Sequence, residues 1–178
     1  MTITWIQAIL FGLLACLASM PGMGGTAIGN YTLGRPLVAG LIVGLIVGDV
    51  STGIMVGAAI QVIYIALVTP GGTVSADVRA ISYIGIPLSI AAIKGLGIDP
   101  STVEAAQMAA ALGAAVGTLG TVLFYGTATM NLVWQHIGWK AVEKGDFKKL
   151  YAVDMILPWV SHILFSFIPT LIITKMGA

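Results

Sequence analysis

Long apolar runs separated by short polar breaks dominate this chain of 178 residues. Two of the runs, 37–48 and 53–68, flank the break Asp49-Val-Ser-Thr52, and Asp49 is the only charged residue within them or between them. At about 1.5 Å per residue the second run reaches about 25 Å, slightly less than a hydrocarbon core of about 30 Å. The pattern predicts a membrane-embedded helical hairpin, or a helix broken near its middle. A broken apolar segment is a pointer to a binding site.

Small residues form regular stripes on both of these predicted helices. The first stripe recurs every fourth residue in the repeat GLIVGLIVG: Gly40, Gly44 and Gly48. A second stripe has similar spacing and a polar outer end: Gly53, Gly57, Gln61 and Tyr64. Such stripes let helix backbones approach closely in lipid. Two interpretations of Gln61 stay open, an interhelical hydrogen bond and a contact with a ligand.

A turn-rich segment, 69–77, follows the second run and reads TPGGTVSAD. Its proline and the pair Gly71-Gly72 stop the helix. Thr73, Ser75 and Asp77 then alternate, so that in an extended segment their polar groups point to one side. Two hydroxyl groups and a carboxylate aligned on one side suit a polyhydroxylated ligand. The alternative is a capped turn, in which Ser75 or Asp77 caps the helix that follows.

Further apolar segments lie at 3–19, 80–93 and 156–173. Ser101-Thr-Val-Glu104 has the spacing of a capping box and predicts a helix that runs to about Trp134. One face of that helix carries small residues for close packing: Ala106, Ala109, Gly113, Gly117 and Gly120. The charged stretch 135–151 contains four lysines, which predicts a cytoplasmic loop by the positive-inside rule.

Isolated polar or reactive side chains interrupt the apolar pattern. Arg35 has two interpretations, an interfacial anchor or the partner of a buried carboxylate such as Asp49. For Asp49 we favour a helix cap, because Val-Ser-Thr-Gly follows it. Cys16 is the only cysteine, which excludes an internal disulfide, and we expect it to pack. For His162 we favour a hydrogen-bonded packing role over a site role.

The composition decides the fold class. Apolar residues make up 58% of the chain, charged residues 8%, and the mean hydropathy is +1.01, whereas soluble domains carry about 25% charged residues. We therefore predict an all-α integral membrane protein with about five or six hydrophobic segments in one membrane domain, 1–178. A net charge of +1 gives no reason to expect a nucleic-acid partner. No arrangement of residues indicates an activated nucleophile, a metal or a cofactor.

An ordered set of motifs resembles the membrane subunit IIC of the mannose/sorbose-type sugar phosphotransferase system. The set comprises Arg35-Pro36, GLIVGLIVGD at 40–49, Thr52-Gly53-Ile54, Gly71-Gly72 and Ser75-Ala-Asp77. The resemblance extends from about Gln7 to Pro169. Three features depart from it. Gly34 stands where family members often carry a histidine, Gln61 stands where they often carry a glutamate, and they usually continue well past Ala178.

The resemblance implies a bacterial cytoplasmic membrane protein that binds a hexose or amino sugar and moves it inward for phosphorylation by a IIB component. It also implies a IID membrane subunit, soluble IIB and IIA components, membrane lipid and a homo-oligomer within a larger complex as partners, with no phosphoryl transfer on this chain. We expect the sugar to contact six residues: Gln61, Gly71, Gly72, Thr73, Ser75 and Asp77. Support is expected from Arg35, Asp49 and Tyr64. The alternative function is a non-transporting assembly subunit whose stripes serve only helix packing.

Overall fold

A computed structural model describes residues 1–19, 25–65, 67 and 74–178. The regular elements in these ranges are helices, which we number in chain order. They are α1 (Trp5–Ser19), α2 (Pro36–Val47), α3 (Val50–Tyr64), α4 (Val78–Leu96), α5 (Val103–Glu143) and α6 (Lys148–Met176), with a π-helical segment, Gly25–Leu33, before α2. This arrangement confirms the predicted all-α class.

Helices α2 and α3 form the predicted hairpin, and their glycine stripes face one another. Gly48 ends α2 in the left-handed conformation, with φ of 82°, which glycine adopts without a steric penalty. A Cβ atom placed on Gly44 would lie 2.9 Å from the carbonyl oxygen of Asp49 and 2.9 Å from the Cα of Val50. A Cβ on Gly53 would lie 2.7 Å from the Cα of Gly44. The two backbones are therefore in direct contact, and no side chain fits between them.

The first and last helices pack side by side in opposite directions. The Lys175 ammonium donates a 2.8 Å hydrogen bond to the carbonyl oxygen of Ile3 at one end of the pair. At the other end, the Cys16 thiol donates to the carbonyl oxygen of His162 at 3.4 Å. Cys16 is buried, with 1% of its surface exposed, so the predicted packing role is confirmed.

The small-residue face of α5 packs against α3 and α4. Gly113 lies against the side chain of Ile60, and Gly117 lies against Ile81. Gly120 contacts Ala80 and Asp77 at the start of α4. The predicted packing stripe on α5 is therefore confirmed from Ala109 to Gly120, while Ala106 is only half-buried. The stripe fixes the height at which α4 begins beside α5.

Helix α5 is longer than its apolar pattern predicted. It begins at Val103, with Thr102 rather than Ser101 as its cap, and runs for 41 residues to Glu143. The prediction of an end near Trp134 and a long charged loop was wrong, because the helix continues through Lys140 into the polar stretch. Lysine and glutamate are good helix formers, so a change from apolar to charged composition does not end a helix.

Each π-helical stretch inside α4 and α6 ends two residues before a proline. The stretch Ile81–Gly85 precedes Pro87, and in α6 the stretches Ala152–Ile156 and Ile163–Phe167 precede Pro158 and Pro169. Proline lacks the N–H that an α-helix needs and its ring collides with the carbonyl group four residues earlier. A widened turn relieves that collision, so the helices continue past their prolines.

Within the described residues, three helices are long and apolar enough to cross a membrane: Val78–Leu96, Val103–Glu143 and Lys148–Met176. Helices α1, α2 and α3 are shorter, with 15, 12 and 15 residues. The long helices also expose large apolar side chains; Leu119 and Val122 of α5 are 69% and 70% exposed. Apolar surface of this extent is typical of a protein whose solvent is lipid.

Candidate functional site

A cavity of about 230 Å³ lies where α1 ends and α4 begins, beside the middle of α5 and α6, the two longest helices. The end of α1, the start of α4 and the central parts of α5 and α6 line it. Its volume is slightly below the roughly 300–1,000 Å³ of typical small-molecule sites. Its polar lining residues are Ser19, Asp77, Arg79, Thr127, Asn131, His162 and Ser166.

Asp77 caps α4 and also lines the cavity. Its Oδ1 atom accepts hydrogen bonds from the Arg79 backbone N–H and from Arg79 Nε, both at 3.0 Å. Its own backbone N–H donates to the carbonyl oxygen of Gly117, at 3.0 Å, which ties the start of α4 to α5. The side chain is 10% exposed. The capping interpretation of Asp77 is therefore confirmed, and the same carboxylate is placed where a ligand could reach it.

Arg79 balances the charge of Asp77 inside the cavity. Its guanidinium lies 3.0 Å from the carboxylate and 5.1 Å from the centre of the Phe124 ring, a distance at which a cation is attracted to the aromatic face. These two are the only formally charged residues that the described part of the chain places in the cavity lining, apart from the titratable His162. With a neutral imidazole the lining has no net charge.

Two polar atoms of the lining residues are buried and have no hydrogen-bond partner among the described residues. They are Oδ1 of Asn131 and Nδ1 of His162, and the residue His162 as a whole is 4% exposed. The burial of His162 agrees with the expected packing role, but no hydrogen-bond partner for this ring nitrogen lies among the described residues, so its hydrogen bond stays a prediction. Sequence reasoning did not find Asn131 or Arg79. Each of them is a single polar or charged residue in or beside an apolar helix, and such a residue is by default a candidate for a functional site.

The cavity takes in only part of the predicted site. Gly71, Gly72 and Thr73 lie outside the described residues. Ser75 is exposed and is absent from the lining, as is Gln61 on α3. Gln61 Oε1 is nevertheless buried and has no hydrogen-bond partner in the described part of the chain, and Gly113 of α5 packs beside the neighbouring Ile60. That Gln61 and Ser75 contact a ligand stays a prediction.

The residues expected to support the site lie elsewhere. Arg35 is stacked on Tyr31, 5.5 Å from the ring centre, and the carboxylate of Asp49 is 2.7 Å from the ammonium of Lys94. The proposed pairing of Arg35 with Asp49 was therefore wrong, since the two residues lie at opposite ends of α2. Tyr64 is 8% exposed in the core.

The capping role of Asp49 is confirmed. Its Oδ1 accepts from the Thr52 backbone N–H at 3.1 Å and its Oδ2 accepts from the Thr52 hydroxyl at 2.8 Å. In this turn, outside the long helices, the hydrogen bond from Lys94 and those from Thr52 lower the pKa of the Asp49 carboxyl. Asp49 and Asp77 are thus two capping aspartates with ion pairs, and only Asp77 lines the cavity.

Apolar helices that enclose a charge-balanced polar cavity define a multi-pass helical membrane protein with a buried polar site. The family is also clear. The chain belongs to the EII-Sor family, the PTS system sorbose-specific IIC component, whose profile matches residues 5–178. The resemblance stated from the sequence motifs is therefore confirmed.

Three curated relatives of the chain are named after sugars. The mannose-specific EIIC component of Escherichia coli (strain K12) is 30% identical over 146 residues, which are 82% of this chain and 50% of that protein. The sorbose-specific EIIC component of Klebsiella pneumoniae is 27% identical over 84% of this chain and 51% of its own length. The fructose permease IIC component of Bacillus subtilis (strain 168) is 30% identical over 93% of this chain and 57% of its own length. The chain spans about half the length of these curated relatives.

A solved structure has the same fold. The cryo-EM structure of the mannose transporter ManYZ in complex with microcin E492 contains a chain that is 26% identical, with a TM-score of 0.75. The match covers 99% of this chain and 65% of that one.

Proposed function

We propose that this chain is a sugar-binding and translocating IIC subunit of a phosphoenolpyruvate-dependent phosphotransferase system. The observation that carries the proposal is the polar cavity, because it brings a carboxylate together with an amide whose oxygen atom is buried and with a buried imidazole. A pyranose presents adjacent hydroxyl groups, each of which donates and accepts hydrogen bonds. Asp77 accepts, while Asn131 and His162 each offer both donor and acceptor capacity.

The charge balance of the cavity favours a neutral ligand. The carboxylate of Asp77 and the guanidinium of Arg79 cancel at 3.0 Å, so a further anion such as a sugar phosphate would meet no surplus positive charge. A free sugar fits this balance. In the proposed cycle the chain binds the unphosphorylated hexose or amino sugar, and a cytoplasmic IIB component phosphorylates it on entry. A IID membrane subunit and a IIA component complete the system.

The glycine stripes support transport over a purely assembling role. An assembly subunit would present its small-residue stripes to a partner. Here the stripe of α2 faces the stripe of α3, and that of α5 faces α3 and α4 within the same chain. The stripe of α5 also holds the start of α4, which forms one wall of the cavity.

The test compares the two capping aspartates. Asp77→Asn keeps a cap residue, since asparagine caps as well as aspartate, but it removes the charge from the cavity. Hydrogen bonds to a charged acceptor contribute about 1.5–3 kcal/mol each. We therefore expect sugar affinity to fall by roughly one to two powers of ten. Asp49→Asn is the matched control, because it also removes a capping charge and an ion pair, with Lys94, away from the cavity.

The measurement is uptake and binding of radiolabelled mannose, fructose and sorbose at equal membrane levels of each variant. Loss of affinity in Asp77→Asn with normal affinity in Asp49→Asn supports the proposal. Equal, unimpaired uptake by both variants means that Asp77 acts only as a cap. Gln61→Ala is expected to weaken binding less than Asp77→Asn, since the bonds of an amide are neutral and weaker.

A further inference from the structure

Two buried atoms on different helices, Asn131 Oδ1 on α5 and His162 Nδ1 on α6, lack hydrogen-bond partners in the described part of the chain. Both residues line the same cavity. Buried polar groups in native proteins are almost always paired, so an unpaired one asks for an explanation, such as a bound ligand or water. Two of them around one cavity indicate that its occupant supplies the missing partners.

The surrounding contacts fix both residues in place. One turn beyond Asn131, Nε1 of Trp134 donates a 2.8 Å hydrogen bond to the hydroxyl of Ser161, the residue before His162. This bond joins α5 to α6 at the height of the cavity. On the other side, the backbone carbonyl of His162 accepts from the Cys16 thiol of α1 at 3.4 Å. The backbones that carry the two side chains are therefore held before any ligand arrives.

We infer that Asn131 and His162 bind hydroxyl groups of the sugar and determine which hydroxyl pattern the cavity accepts, an inference that rests on the proposed function. Asp77 supplies a strong acceptor on one wall, formed by α4. The opposing contacts come from α5 and α6, so the ligand is held between three helices. The sugar class is neutral and unphosphorylated, in keeping with the cancelled charges of Asp77 and Arg79.

The chemistry of the two side chains makes them selective. An amide offers two donors and an acceptor, and a neutral imidazole offers one of each. A site built to bond a hydroxyl group discriminates strongly against an analogue that lacks it, because the protein group is then buried without a partner. An apolar lining could not do this, since it distinguishes ligands by shape alone.

The experiment measures equilibrium binding of radiolabelled mannose, fructose and sorbose to membranes that contain the chain with the other subunits of its system. The sugar that binds is then competed with its set of monodeoxy analogues. Asn131→Leu is expected to weaken the parent sugar roughly tenfold, which corresponds to one neutral hydrogen bond. One analogue, lacking the hydroxyl that Asn131 contacts, is expected to bind the wild type and Asn131→Leu equally. His162→Leu is expected to show the same behaviour with a different analogue.

Conservative variants and controls separate contact from packing. Asn131→Thr and His162→Gln retain hydrogen-bonding groups, and we expect each to recover part of the lost affinity. The controls are Gln135→Leu and His136→Gln, which change exposed residues one turn further along α5. They are expected to bind every analogue as the wild type does.

The outcomes are distinct. Selective loss at one hydroxyl per residue supports the inference. The inference is overturned if both leucine variants bind the parent sugar with wild-type affinity. It is also overturned if a leucine variant loses the same affinity for every analogue. Either result leaves the proposed function standing. If the wild type binds neither these three sugars nor an amino sugar such as glucosamine, the proposed function fails first and the inference fails with it.

Discussion

The contact between α2 and α3 predicts a measurable penalty for a single methyl group at Gly44. Its Cβ would approach two backbone atoms of the partner segment, the Asp49 oxygen and the Val50 Cα, at 2.9 Å each. Backbone atoms cannot rotate away as a side chain can, so the hairpin has to open. Overpacking of this kind costs typically about 1–3 kcal/mol. Gly44→Leu adds three more carbon atoms and is expected to cost more.

Gly85→Ala is the control, because a Cβ there meets its nearest neighbour at 3.6 Å, an ordinary contact. Both positions are helical, so both substitutions gain the same intrinsic helix propensity, about 1 kcal/mol. The difference between the two variants then isolates the overpacking. For a chain of this size 1 kcal/mol shifts the melting temperature by about 2–4 °C, so Gly44→Ala should melt about 2–12 °C below Gly85→Ala.

Cys16 supplies the assay. It is buried and is the only cysteine, so its reaction with a thiol-reactive dye on heating reports unfolding. Melting curves are recorded in detergent for the wild type and both alanine variants. A melting temperature for Gly44→Ala equal to or above that of Gly85→Ala would refute the close backbone contact between α2 and α3.

Two further predictions concern the ends of the bundle. A cysteine replacing Lys144, in a Cys16→Ala background, should resist a membrane-impermeant maleimide applied to intact cells, because the lysine-rich turn is expected to face the cytoplasm. Gly95→Cys, at the opposite end of the bundle, should react with the same reagent. Labelling of Lys144→Cys and protection of Gly95→Cys would contradict this orientation. The second concerns the Asp49–Lys94 pair, in which the pKa of Asp49 is lowered from its ordinary value of 3.8. The stabilisation by this ion pair is therefore fully present above pH 3.8 and is lost as the pH falls through the lower pKa that Asp49 has in the folded state. Lys94→Met should lower stability by at most about 1 kcal/mol, since the pair is partly exposed. The difference from the wild type in thermal melting should disappear in strong acid, and a difference that persists there would show that the ion pair is not its cause.

Local patterns predicted the hairpin because its determinants are local. The repeat of Gly40 and Gly44 indicated a close helix contact, and the chemistry after Asp49 indicated a cap. For Asp77 the sequence predicted either a helix cap or a ligand contact. In the structure the same carboxylate caps α4 and lines the cavity.

The rest of the cavity depends on contacts between distant segments, which no local pattern encodes. Asn131 and His162 are single polar residues in long apolar helices, and only the packing of α5 on α6 brings them to one cavity. The same limit applies to Asp49, whose partner is Lys94, 45 positions along the chain, and not the more conspicuous Arg35. The predicted end of α5 came too early because the change to charged residues marks the end of the apolar pattern and not the end of the hydrogen-bonded helix.

The pairing of the first helix with the last has a consequence for synthesis. Cys16 and the residue that receives its hydrogen bond, His162, are 146 positions apart in the chain. At a translation rate of about 5–20 residues per second, roughly 7–30 s pass between the synthesis of the two. During that interval α1 is a nascent apolar helix without its final neighbour, and lipid or the insertion machinery has to cover the face that α6 will occupy. Because Ser19 at the end of α1 and His162 of α6 line the same cavity, the cavity is completed only when α6 is in place, late in the biogenesis of the chain.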